Sequence, residues 1–307
     1  MESDSSIFTT ILLFIIALLP VVVIFKYINN KDVNKEPTSL LVRLFLGGIM
    51  SCFLVMFVNE LLTPILPFMD KTDESTFAEI LLFSFIGVAL IEEGCKFFMT
   101  YTIGYKNREF DEAYDIIVYS IFVTLGFAAF ENILYVLENK SFITGITTGI
   151  TRGILSVPGH ACYGLFMGYY LSIAKIASIK GNIQVMKLNI FKSILIPTVM
   201  HGTFDFCLFI NNNLFLCIFV IFVIFMYINA IKKLNVVAKH NYRLVQFART
   251  GDIKIPHNMP TSSPRPNDLT NIAMQGRATG INDKNFCAYC GGSLNGEYCS
   301  KCGKRNL

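Results

Sequence analysis

The sequence predicts an all-α polytopic integral membrane protein of about seven to eight transmembrane helices, followed by a small, separate C-terminal module. Three observations carry this. Of the 307 residues, 53% are hydrophobic and only 16% charged, with a mean hydropathy of +0.53. That is too apolar for a soluble chain of this length. Apolar runs of roughly the ~20 residues a helix needs to cross hydrocarbon recur along the chain. Charge is also segregated. Residues 232–307 hold 12 Lys/Arg against 4 Asp/Glu, whereas the residues before them carry a net −4. A basic tail behind a membrane domain points to the cytoplasm, not to nucleic acid.

The expected spans are 7–25, 43–66, 77–103, 114–137, 158–177, 190–210 and 213–231. The acidic N-terminus (Glu2, Asp4) lacks a basic n-region, so the first run reads as a retained span and not as a cleaved leader. Lys26, Lys31, Lys35 and Arg43 follow span one, and Lys106 and Arg108 follow span three. Lys175, Lys180, Lys187 and Lys192 follow span five, whereas Asp70, Asp73 and Glu74 dominate the second loop. By the positive-inside rule the N-terminus lies outside and the tail in the cytoplasm. Residues 142–157 are Thr/Gly-rich and carry Arg152, which suggests a short interfacial or re-entrant helix ending near Pro158; an eighth span is the alternative. Residues 1–233 thus form the membrane domain. Residues 234–285, with Pro256, Pro260, Pro264 and Pro266, form a flexible cytoplasmic linker.

Ionisable residues interrupt four of these apolar runs. Such groups cost about 2.5–3.5 kcal/mol each at the centre of a membrane helix, and they persist where they face a packed interior or a wet cavity. Span three contains Glu92, Glu93 and Lys96, with Glu92 and Lys96 on one helical face. Span four contains Glu131 and Asn132, span five begins near His160, and span six places His201 and Asp205 four residues apart. Small residues accompany each group and allow close helix approach. Each residue alone has an ordinary structural explanation, such as an intrahelical ion pair for Glu92–Lys96 or a bridge between helices for Asn132. Together they predict one shared polar cavity.

Such a cavity suits hydrolysis, which needs a base to activate water and donors for the developing oxyanion. A buried carboxylate with a second one beside it suits the base, Lys96 offsets part of the negative charge, and His201 held by Asp205 is the candidate donor. A divalent metal bound by Glu and His is an alternative source of positive charge. There is no His-Glu-x-x-His helix and no Gly-x-Ser-x-Gly elbow. Two rival readings stay open: a proton-coupled transporter, since buried carboxylates and histidines also relay protons, and a non-catalytic binding or immunity protein of the same fold.

The four motifs resemble, in order, those of the PrsW family of bacterial intramembrane proteases: Glu-Glu-x-x-Lys at 92–96, Phe-x-x-x-Glu-Asn at 127–132, His-x-x-x-Gly at 160–164 and His-x-x-x-Asp at 201–205. That family is related to type II CAAX prenyl endopeptidases and to bacteriocin-processing and immunity proteins. The resemblance implies a peptidase of the bacterial plasma membrane that makes site-1 type cuts in membrane-anchored proteins, anti-sigma factors among them. It also implies that Glu92 is the water-activating base, with Glu93 and Lys96 shaping its surroundings, that Glu131 stands where the prenyl enzymes have a histidine, and that Asp205 stands where they have an asparagine.

The tail reads Cys287-x-x-Cys290, eight residues, Cys299-x-x-Cys302. Two such knuckles supply four thiolates for a tetrahedral structural zinc. Residues 286–307 are therefore expected to form a zinc ribbon, which the reducing cytoplasm favours over disulfides and which would suit docking of a cytoplasmic protein partner.

Overall fold

The structure, a computed structural model, describes residues 2–32, 34–70, 75–139, 141–239, 294–295 and 298–299. It is helical: α1 (Glu2–Lys31), α2 (Thr38–Leu62), α3 (Phe77–Leu82), α4 (Ile91–Met99), α5 (Asp115–Leu137), α6 (Phe142–Ile154), α7 (Ser156–Ile179), α8 (Ile183–Phe209) and α9 (Asn213–Lys239). Two π-helical segments, Phe83–Leu90 and Thr100–Tyr105, join α3 to α4 and extend α4. The described backbone near the C-terminus is a two-residue antiparallel pair, β1 (Leu294–Asn295) with β2 (Tyr298–Cys299). The zinc ribbon and its ligands Cys287, Cys290 and Cys302 lie outside the described residues, and so does the side chain of Cys299.

Among the described residues, six stretches are long and apolar enough to cross a membrane: Ile7–Lys31, Thr38–Leu62, Asp115–Leu137, Phe142–Ile179, Ile183–Phe209 and Asn213–Lys239. This differs from the expected count in two places. The run 77–103 is divided among α3, α4 and the two π segments, and α6 and α7 count as one stretch although the backbone breaks between them at Leu155. At the tail, α9 passes the expected boundary at 233 and continues to Lys239.

Helix α5 is the centre of the bundle: 83% of its apolar window is buried, against 11% for α1 and 22% for α9. Its neighbours reach it through small residues. A Cβ on Gly48 of α2 would overlap the Val123 carbonyl, and one on Gly126 would overlap that of Phe45. On the other side, Gly164 and Gly168 bring α7 against the backbone of α5 at Ile121 and Ile117. There the Ser120 hydroxyl donates to the Gly164 carbonyl at 2.6 Å. Close backbone contact of this kind replaces the hydrophobic driving force that helices lack in lipid.

Side-chain contacts fix which helix ends lie together. Lys31 donates to Asn235 Oδ1 at 2.8 Å, Asn34 donates to Glu112 at 2.6 Å, and Lys175 sits over the Tyr105 and Phe110 rings. The α1–α2 turn, the second π segment, the start of α5 and the C-terminal ends of α7 and α9 therefore share one end of the bundle. At that end the Tyr119 hydroxyl donates to Glu36 at 2.7 Å. Burial lifts the Glu36 carboxyl to about 7, with the charges of Asp32 and Asp111 adding to the effect against the Tyr119 bond. Burial, with Glu112 nearby, lifts Asp32 to about 6.

Both groups bind their proton more tightly folded than unfolded, so their stabilisation is complete below about pH 4 and is lost as pH rises through about 7. The melting temperature of the detergent-solubilised protein is expected to fall between pH 5 and pH 8. Glu36→Gln should flatten that slope and raise the melting temperature at pH 8. A slope identical in the variant would show that this carboxyl is not responsible.

Candidate active site

The residues singled out from the sequence come from four helices, and α4 supplies the centre. Flanked by a π segment on each side, α4 carries Glu92, Glu93 and Lys96 buried against the bundle, while Leu90 and Phe98 face outward. π turns are rare and concentrate at functional sites, because they re-aim side chains that a regular helix would place elsewhere. The Lys96 ammonium is fully buried, 2.9 Å from Glu92 Oε2, 2.9 Å from Glu93 Oε1 and 3.2 Å from His160 Nδ1. It also lies 3.8 Å from the centre of the Phe127 ring. Three acceptors and a ring face use the charge completely, which is what makes a buried ammonium tolerable.

His160 extends this network to α5. An ammonium can only donate, so Nδ1 accepts from Lys96 and the ring proton sits on Nε2, which donates to Glu131 Oε2 at 2.9 Å. Glu131 is also 2.8 Å from Arg152 Nη2. Arg152, from α6, donates through Nε to Asn132 Oδ1 at 3.0 Å and lies 3.9 Å over the Tyr135 ring. Asn132 in turn donates to the Ala17 carbonyl of α1 at 2.7 Å. Its position is thus one of anchorage: it ties α1 and Arg152 to α5 and lies apart from the Lys96 cluster.

On α8, His201 Nδ1 lies 3.0 Å from Glu93 Oε1 and Nε2 lies 3.4 Å from Asp205 Oδ2. With a carboxylate on each side, both nitrogens donate if the ring is an imidazolium; if instead the ring is neutral and Asp205 carries the proton, Nδ1 donates to Glu93 and Nε2 accepts from Asp205. The Asp205 contact is long for a hydrogen bond, so Nε2 is the loosest donor of the group. The Tyr163 ring stacks on His201 at 4.8 Å and meets His160 edge-on at 5.7 Å, holding the two imidazoles apart at 5.4 Å.

The structure therefore gathers Glu92, Glu93, Lys96, Glu131, His160, His201 and Asp205 into one continuous network, with Asn132 behind it. Arg152 and Tyr163 belong to it without having been singled out as site residues. A charge in the Thr/Gly-rich stretch 142–157 was visible, but nothing in its spacing tied it to Glu131. Tyr163, an aromatic residue among apolar ones, gave no signal.

A family model described as "PrsW family intramembrane metalloprotease" matches residues 36–230. This chain belongs to the PrsW family. Among curated members, "Protease PrsW" of Clostridioides difficile (strain 630) is 30% identical over 233 residues, covering 76% of this chain and 94% of that protein. "Protease PrsW" of Geobacillus kaustophilus (strain HTA426) is 37% identical over 190 residues, 62% of this chain and 76% of that protein. The Bacillus subtilis (strain 168) protein of the same name is 32% identical over 195 residues, 63% of this chain and 81% of that protein. No solved structure matches. The chain is a membrane peptidase.

The PrsW family description names a metal. Glu92, Glu93 and His160 are suitable in kind: their donor atoms lie within 4.8 Å of one another. Lys96 Nζ, however, touches one donor atom of each of the three. A zinc ion held by those same atoms at about 2.0–2.2 Å would meet the ammonium at close range. As arranged, those three atoms do not fit a metal; the cation they share is the lysine. One acceptor is left over, since Glu93 Oε2 is buried with no hydrogen-bond partner among the described residues.

Proposed function

We propose that this PrsW-family chain hydrolyses a peptide bond in a membrane-anchored protein, with a water molecule activated by Glu92. The observation that carries the reading is the division of labour between the paired glutamates. Glu93 is wholly buried and bonded to Lys96 and His201, whereas Glu92 keeps 9% exposure and a second carboxylate oxygen beyond its Lys96 bond. A base must reach its water, and Glu92 is placed to do so.

In this account the water gives its proton to Glu92 as its oxygen adds to the scissile carbonyl carbon. The developing oxyanion takes a hydrogen bond from His201 Nε2, which exchanges its long Asp205 contact for a better one. Collapse of the tetrahedral species breaks the C–N bond, and the Glu92 proton leaves with the amine. Lys96 offsets the paired glutamates throughout. Arg152, at 2.8 Å, and the Nε2–H of His160, at 2.9 Å, hold Glu131 in position.

Counting α3 to the second π segment as one crossing, and α6 as none, gives seven crossings. At about 1.5 Å per residue, the 13 residues of α6 reach ~20 Å, short of the ~30 Å of hydrocarbon. The positive-inside rule then places the Lys31–Asn235 end in the cytoplasm. Asp205 stands four residues, ~6 Å, before the end of α8. The start of α7 lies inside the bundle, where the Leu155 carbonyl accepts from the Tyr227 hydroxyl of α9 at 2.8 Å. A site inside the membrane domain suits a substrate anchored by one span, the class to which anti-sigma factors belong. The test is cellular: a single-pass protein shortened by wild type and intact with Glu92→Gln supports the reading, and an unchanged membrane proteome overturns it.

The tail cysteines Cys287, Cys290, Cys299 and Cys302 are proposed to hold a structural zinc. The purified wild type is then expected to carry one zinc per chain, and the variant with all four replaced by serine none, by elemental analysis. Zinc retained by that variant would place metal in the membrane domain and contradict the role given to Lys96.

A further inference from the structure

A second site lies at the other end of α4, outside the catalytic network. Between α2 and the second π segment runs an open groove of about 650 Å³. Its walls are apolar, with Leu46, Met50, Met99 and Ile103, and its mouth carries Arg43 and Lys106 with no acid among the lining residues. Gly47 keeps the floor low: a Cβ there would come 2.6 Å from Ile103 Cδ1. Both cations are exposed. Arg43 makes no ion pair or hydrogen bond among the described residues, and Lys106 makes only a distant contact, 5.2 Å from the centre of the Tyr101 ring.

We propose that this groove binds one anionic phospholipid, its phosphate between Arg43 and Lys106 and an acyl chain along Leu46, Met99 and Ile103. Charge complementarity selects the head group, because two unpaired cations at a membrane boundary attract anionic lipid. Size selects a lipid over a helix. The lined part of α2, Arg43 to Met50, rises only ~10 Å, against the ~30 Å that a spanning helix would cover. Polarity along the groove matches as well, with the cations at the shared end marked by Lys31 and Asn235 and the apolar walls running toward mid-membrane. Bound there, the lipid lies along the π segment that continues α4, two turns from Glu92. The inference does not depend on proteolysis.

The test is native mass spectrometry of the full chain in non-ionic detergent, with phosphatidylglycerol and phosphatidylcholine of identical acyl chains offered together. Each cation near an anionic head group contributes about a five-fold factor, so a preference of about 25-fold for phosphatidylglycerol is expected. Arg43→Gln with Lys106→Gln should reduce it to near parity, while Arg43→Lys with Lys106→Arg should keep it and show that the fold tolerates change there. Excess inorganic phosphate should not displace the lipid. Equal retention of both lipids by wild type, an unchanged preference in the double glutamine variant, or full displacement by phosphate would each overturn the proposal.

Discussion

Glu92→Gln is expected to stop cleavage while the protein stays folded. The amide oxygen can still accept from Lys96, and Lys96 keeps Glu93 and His160 as partners at 2.9 and 3.2 Å. The stability change should therefore stay near the ~1 kcal/mol of one hydrogen bond. The amide cannot take a proton from water, and loss of a positioned base costs about 10²–10⁴ in rate. Product formation measured beside the melting temperature separates the two effects. A variant that cleaves at the wild-type rate would remove Glu92 from the base role.

Lys96→Met should be the most destabilising single change in the membrane domain. Methionine fills similar volume, but it leaves Glu92, Glu93 and His160 facing one another with their shared donor gone. Breaking a buried ion pair by removing one partner costs about 3–5 kcal/mol. Glu93 should suffer most, being wholly buried with one oxygen already unpartnered. Adding Glu93→Gln to Lys96→Met should recover part of the loss, giving a coupling energy well away from zero in a double-mutant cycle. Thermal unfolding of the four proteins measures it. Additive effects would mean that the lysine and the glutamate act independently, against the 2.9 Å contact.

The seven titratable residues of the network were legible because each interrupts an apolar run, where an ionisable group stands out by its solvation cost. Neighbours in sequence were harder to separate. Glu131 and Asn132 differ by one position, about 100° around α5, and that rotation sends Asn132 to the Ala17 carbonyl and Glu131 to His160. Arg152 escaped because its surroundings are already polar, so its charge carried no contrast. The π segments were invisible for a different reason. Over six or eight residues, every one of them apolar or small, the widened turn leaves no mark on the hydrophobic pattern. Those same segments removed the run 77–103 from the helices that qualify as spans by length. Close packing at Gly126 is legible only as a small residue near polar ones; its partner Gly48 stands beside no polar group, and which helix each meets depends on the assembled bundle.

The most direct measurement uses the purified full chain and its glutamine variant in vesicles, each with a single-span segment taken from a protein found shortened in cells. Mass spectrometry of the products reads the cut. One new N-terminus, within or beside the span, is expected with wild type and none with Glu92→Gln. No product from wild type, or equal product from both, would contradict it.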